Sequence, residues 1–150
     1  MDSLDPRTPP SPGPDPGASA DPPSADTHAQ RRVRLAASMG DAALVLAAGA
    51  LQTRSNDTEH RFRADTNFHY LSGLEQPGAL LVFRPRRDPA LTIFVPEQGE
   101  RDAIYNGRRP GPEAVMRQIG ADAAHTTAAV ASELPRLLAG LQTVGVHGQA

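Results

Sequence analysis

Cysteine is absent from the 150 residues, which removes disulfide scaffolds, thiolate zinc sites and cysteine nucleophiles and gives no reason to expect an oxidising compartment. Aromatic residues make up only 4% of the chain, too few to build a base-stacking surface, and fifteen basic against seventeen acidic residues leave a formal charge of −2. A chain with no basic field is a poor holder of phosphate backbones, so no nucleic-acid partner is expected. Long apolar runs are missing too: none approaches the roughly 20 residues of a membrane helix. The N-terminus lacks the basic-then-apolar order of a secretion signal. The expectation is a cytoplasmic protein with no membrane partner, of a length that suits a single core.

What the sequence does contain is unevenly distributed. Residues 1–26, "MDSLDPRTPPSPGPDPGASADPPSAD", hold more than half of the fifteen prolines and almost no large apolar side chain. Such a segment cannot bury enough surface to offset its ordering entropy and is expected to be a disordered, proline-rich tail. "TPPSPGP" also has the polyproline character of a ligand for a recognition domain.

A folded pattern starts at Thr27. "THAQRRVRLAASMG" predicts a first helix with Val33, Leu35, Ala36 and Met39 on its buried stripe and Gly40 as its stop. "AALVLAA", residues 42–48, has no polar face and predicts a buried central strand. "NFHYLSG" alternates Phe68 and Tyr70 against His69 and Leu71 and predicts another strand. "ALLVFRP" and "LTIFVPE" predict a hairpin joined through "RPRRDPA". After Gly111-Pro112 a helix is expected, with Val115, Met116 and Ile119 inward and Gly120 at its end. A last helix carries Leu134, Leu137, Leu138 and Leu141, with Pro135 as a kink or in a first turn starting at Ser132. "TVGVHG" reads as a final short strand. The sum is an α/β domain over residues 27–150, one mixed sheet flanked by helices.

The densest polar stretch is "RSNDTEHRFRADTNFHYLSG", residues 54–73. Asp57, Glu59, His60, Asp65 and His69 are ligand types for a hard or borderline metal, but their spacing does not converge them, and a solvated or partner-facing loop is the stronger reading. Ser55 or Ser72 with a histidine and an aspartate could be written as a triad, yet no Gly-x-Ser-x-Gly elbow frames either serine. "GRRPG", residues 107–111, sets two guanidinium groups between glycines and suits a carboxylate or phosphate, or else a plain exposed turn.

In order, "RRVRLAASMGDAALVLAAG", "RSNDTEHRFRADTNFHYLSGLEQPGALLVF", "LTIFVPE" and "IYNGRRPGPEAV" closely resemble the N-terminal domain of Xaa-Pro aminopeptidases, also called aminopeptidase P. The resemblance covers about residues 30–147. It implies a subunit of two domains, in which a catalytic "pita-bread" domain follows an α/β domain like this one. In relatives that second domain holds two metal ions, usually manganese, through two aspartates, a histidine and two glutamates, and a bridging hydroxide cleaves the bond before proline.

None of those ligands is in this sequence, so the resemblance implies no catalytic residue and no bound manganese here. It implies instead an oligomerising, substrate-gating domain whose partners are the catalytic domain or homologous subunits, with a proline-containing peptide as substrate of the whole enzyme. Interdomain or substrate-approach roles fall by resemblance on Arg54, Asp57, Tyr105, Arg108 and Arg109. Asp57 corresponds to an aspartate facing the catalytic domain. Tyr105 takes the place of an aromatic that narrows a neighbouring subunit's pocket, where many bacterial relatives carry tryptophan followed by phenylalanine and this chain has Tyr105-Asn106. A prolidase N-terminal domain or a stand-alone interaction module are the alternatives.

Overall fold

The computed structural model describes residues 24–51, 53–55, 58–59, 62–100, 103–104 and 107–148. Helix α1 (Ala25–Met39) starts two residues before the expected Thr27, with the Ser24 carbonyl accepting from the Thr27 N–H at 2.9 Å. Gly40 ends it with φ 60° and ψ −133°. The buried stripe is His28, Arg32, Leu35, Ala36 and Met39, positions four, three, one and three apart, while Val33 is 71% exposed. Val33 therefore does not belong to the inward face: a position one residue from Arg32 is turned about 100° away from it.

Five strands form the main sheet in the order β6-β5-β4-β1-β7. These are β1 (Ala43–Ala47), β4 (Leu80–Phe83), β5 (Leu91–Val95), β6 (Ala123–Thr126) and β7 (Val144–His147). The expected hairpin is present: β4 and β5 pair antiparallel with Leu81 opposite Ile93 and Val82 opposite Thr92. β4 is also antiparallel to β1, whereas β7 lies parallel to β1 and β6 parallel to β5. β6, "AAHT", has too little apolar alternation to be read as a strand and was not expected from sequence. A separate small ribbon joins β2 (Thr53–Ser55) to β3 (Thr58–Glu59).

Residues 66–72 depart from expectation. "NFHYLSG" is not a strand but helix α2 (Thr66–Ser72). Asp65 caps it, one carboxylate oxygen accepting from the Asn67 and Phe68 N–H groups at 2.9 and 3.2 Å. Gly73 closes it in the left-handed region (φ 72°, ψ 8°), its N–H donating to the His69 carbonyl. A cap and a stop seven helical residues apart outweigh the strand preference of Phe and Tyr. Phe68 and Leu71, three apart, both point inward, and Tyr70 is left half exposed rather than sharing a face with Phe68.

The remaining helices match their stop and start signals. α3 (Pro112–Ile119) has proline in its first turn and Gly120 at its end, and buries Val115 and Ile119, with Met116 half-buried. α4 (Val130–Leu138) begins before Ser132, after a single 3₁₀ turn at Thr127–Ala129, and holds Pro135 inside it. Leu134, Leu137 and Leu138 pack inward from α4, while Leu141 lies beyond its end. No helix among the described residues is long and apolar enough to cross a membrane.

Alternation along the strands sends side chains to two cores. Leu46, Leu81, Phe83, Leu91, Ile93 and Val95 meet Phe68, Leu71, Val115 and Ile119 on one face, with α1 packed against the same cluster. Val45, Val82 and Phe94 meet Leu137 on the other. The basic run of α1 serves this packing. Arg32, only 8% exposed, donates to the Leu71 carbonyl at 2.7 Å and the Ile119 carbonyl at 2.8 Å, capping the last turns of α2 and α3 at once. Both acceptors are carbonyls that a helix end leaves without intrahelical partners, at the negative pole of the helix dipole. Burial lowers the Arg32 pKa from its ordinary value, and the charge of Asp122 acts in the opposite sense. Arg31 stacks its guanidinium 4.1 Å from the centre of the Tyr70 ring and donates to the Tyr70 carbonyl.

Candidate functional site at the carboxyl edge of the sheet

Because β1, β5, β6 and β7 all run one way and β4 runs against them, four strands end on the same edge of the sheet. Open α/β sheets place their ligand sites beyond the carboxyl ends of parallel strands. Three stretches leave or enter that edge: the polar excursion after β1, the segment 96–112 after β5, and the approach to β4. Backbone bonds tie them down. The Ala48 N–H donates to the Ala79 carbonyl at 2.9 Å and the Gly78 N–H to the Gly49 carbonyl at 2.8 Å. The Asp65 N–H donates to the Ala48 carbonyl at 2.9 Å. Residues 49–64 thus leave β1 and return to its tip, a loop closed at its neck with the β2–β3 ribbon on it.

Of the residues singled out for an interdomain or substrate-approach role, Arg54 is placed by its backbone in β2 on this excursion. Asp57 and Tyr105 lie outside the described residues, as does His60. Glu59 is placed by its backbone in β3, and the two candidate metal ligands whose side chains are described make other contacts. Asp65 caps α2, and its second carboxylate oxygen lies 3.4 Å from His147 Nε2, linking α2 to the end of β7. His69 stands edge-on to the ring of buried His28, centroids 5.8 Å apart. Among the described residues no three of His, Cys, Asp or Glu come together to hold a metal ion, so the described side chains do not by themselves make a two-ion centre. Ser72 is buried, its hydroxyl donating to the Phe68 carbonyl at 2.7 Å and accepting from the Leu74 N–H at 3.1 Å, which is a helix-end role and not that of a nucleophile.

The segment 96–112 makes a more open arrangement. It lines a cleft of ≈ 390 Å³ with Glu97, Gln98, Glu100, Arg108 and Arg109 among its walls. Gln98 Nε2–H donates to the Gly107 carbonyl at 2.7 Å, and the Arg109 N–H donates to Gln98 Oε1 at 2.7 Å. Gly107 has φ +76°, a backbone state that favours glycine. Arg109 is half-buried and engaged. Arg108 is exposed, and its guanidinium meets no partner among the described residues. A planar fork of donors held at an edge can take a carboxylate in a bidentate grip. Neither Arg32 nor Gln98 was expected from sequence. For Arg32 the signal was its spacing of three and four residues from Leu35, Ala36 and His28; for Gln98 there was none.

The opposite edge is occupied with structural work. Arg87 makes a two-bond ion pair with Asp41 at 2.9 and 2.6 Å, Arg84 donates to the Leu137 and Pro89 carbonyls, and Asp122 accepts from the Ala90 and Leu91 N–H groups.

The chain is an α/β domain built on one open mixed sheet with helices on both faces, with Gln98, Arg108 and Arg109 lining a cleft on the segment that follows β5. The family model for "Aminopeptidase P, N-terminal domain" matches residues 28–146, and the chain belongs to that family. It is 32% identical over 114 residues to the Xaa-Pro aminopeptidase of Haemophilus influenzae, covering 75% of this chain and 26% of that protein. With the Xaa-Pro aminopeptidase of Escherichia coli it shares 34% identity over 112 residues, 73% of this chain and 25% of the other. Among solved structures, aminopeptidase PepP of Pseudomonas aeruginosa superposes with a TM-score of 0.77 at 28% identity, over 85% of this chain and 29% of that one. Aminopeptidase P from Escherichia coli with the inhibitor Pro-Leu gives 0.77 at 29% identity, over 85% and 30% of the two chains. The chain therefore spans about a quarter of the length of these curated relatives.

Proposed function

We propose that this domain is the oligomerising and substrate-gating part of a Xaa-Pro aminopeptidase, an enzyme that removes an N-terminal residue preceding proline with the help of two manganese ions. The ions and the hydrolytic step belong to a catalytic domain of the pita-bread type, which this chain meets as a partner, either directly or through homologous subunits. The observation that carries the reading is the carboxyl edge, where Arg108 stands exposed and unpaired among the described residues on a segment fastened on both sides of it. A guanidinium so presented is complementary to a carboxylate of a docking domain or of a peptide on its way to the centre. Arg54, Asp57 and Tyr105 are assigned to the same approach surface.

The reading is tested with the 150-residue chain itself. Incubated with manganese and a peptide carrying proline in second position, it is expected to show no turnover, and equilibrium dialysis is expected to find no stoichiometric manganese. Turnover that survives repurification, or close to two tightly held ions per chain, would assign the chemistry to this domain and overturn the proposal.

A further inference from the structure

We infer that Gln98 is the positioning residue of the carboxyl edge, and that an amide is required there because one side chain must donate and accept at the same time. This rests on the reading that the 96–112 segment faces a partner. Gln98 reaches across nine residues to the Gly107 carbonyl and eleven to the Arg109 N–H, each at 2.7 Å. The two contacts fall on the residues immediately before and after Arg108, so the clamp brackets an exposed arginine whose guanidinium has no partner among the described residues. Fixing the backbone on both sides lowers the entropy lost when Arg108 takes up an anionic group, which is where such a clamp would strengthen recognition.

The chemistry of the bracket makes a sharp test. A glutamate at this position could accept from the Arg109 N–H only by setting its other oxygen, when ionised, against the Gly107 carbonyl, two acceptors with no proton between them, so the ionised side chain swings away from both partners. Protonated, the same carboxyl would donate to Gly107 and accept from Arg109, restoring the amide's pattern. The Glu carboxyl would therefore titrate above its usual pKa of about 4.3.

Amide hydrogen exchange at Arg109, read by NMR, is measured in the wild-type chain, Gln98→Met and Gln98→Glu. Each rate is compared with the intrinsic rate at its own pH. At neutral pH both variants are expected to lose protection at Arg109 by about fivefold to tenfold, the worth of one net hydrogen bond, with unchanged melting temperature. As pH falls through the carboxyl range, Gln98→Glu is expected to regain protection while Gln98→Met does not. Unchanged exchange in both variants, or loss in Gln98→Glu that persists in its protonated form, would overturn the inference. A large drop in melting temperature in both would do the same by making Gln98 a fold residue. The assay uses neither metal nor peptide, so its failure is separate from any failure of the proposed function.

Discussion

Replacing Arg32 by methionine keeps a long apolar stem in the space between α1, α2 and α3 and deletes only the guanidinium. Two acceptors then lose their donors, the Leu71 and Ile119 carbonyls, now bonded at 2.7 and 2.8 Å. An acceptor left unsatisfied in the interior costs about 1–3 kcal/mol, and bonds from a charged donor sit at the upper end. Two such losses sum to roughly 2–6 kcal/mol; the relief of no longer burying a cation takes something back. A net destabilisation of about 3 kcal/mol is expected, which in a domain of this size lowers the melting temperature by roughly 10 °C. Urea unfolding followed by circular dichroism measures the first quantity and calorimetry the second. Arg32→Lys should fall between, since an ammonium on a shorter stem cannot span both carbonyls with a planar fork. If Arg32→Met were as stable as the wild type, the two helix ends would have other partners and the capping role would be wrong.

The exposed Asp41–Arg87 pair gives a pH-dependent expectation. The hydrogen bond from Arg87 lowers the Asp41 pKa below its ordinary 3.8, and the same contact raises that of Arg87. A carboxylate whose folded pKa is depressed contributes stability that is present above its unfolded pKa and lost as pH falls through the folded one. An NMR titration of the Asp41 carboxyl should therefore have its midpoint below the ordinary value and move up toward it in Arg87→Ala; a midpoint unaffected by that change would refute the pairing. At the core, Phe68→Ala should cost roughly 3–5 kcal/mol because the ring is fully buried. Tyr70→Ala should cost far less; equal losses in denaturant melts would mean that the two rings share a packed face after all.

How far the fold could be read in advance depended on how local its causes were. The β4–β5 hairpin was legible because two β-branched, apolar runs flank a turn of proline and charge. α3 was legible because Pro112 and Gly120 mark both ends. The α2 segment misled because Phe68 to Leu71 alternates like a strand over four residues, while the decisive groups, Asp65 and Gly73, lie just outside that window. Strand β6 owes its existence to the free edge of β5 more than to "AAHT" itself. In the candidate site, the paired arginines of "GRRPG" were visible as chemistry, but the glutamine that fastens the backbone on either side of Arg108 acts across nine to eleven residues, and no local pattern announces it.

The place of β7 bears on how the chain assembles. β4 and β5 are separated by one short turn, so their pairing closes a small loop early and cheaply. β7 pairs with β1 in the register Ala43 to Val144, so nearly the whole domain lies between the two partners, and that loop is the most expensive of the sheet to close. During synthesis β1 is therefore held by β4 on one side and stands bare on the other until almost the last residue described here has appeared. For that interval the growing chain carries an unpaired apolar strand edge, the kind of surface that other chains can capture.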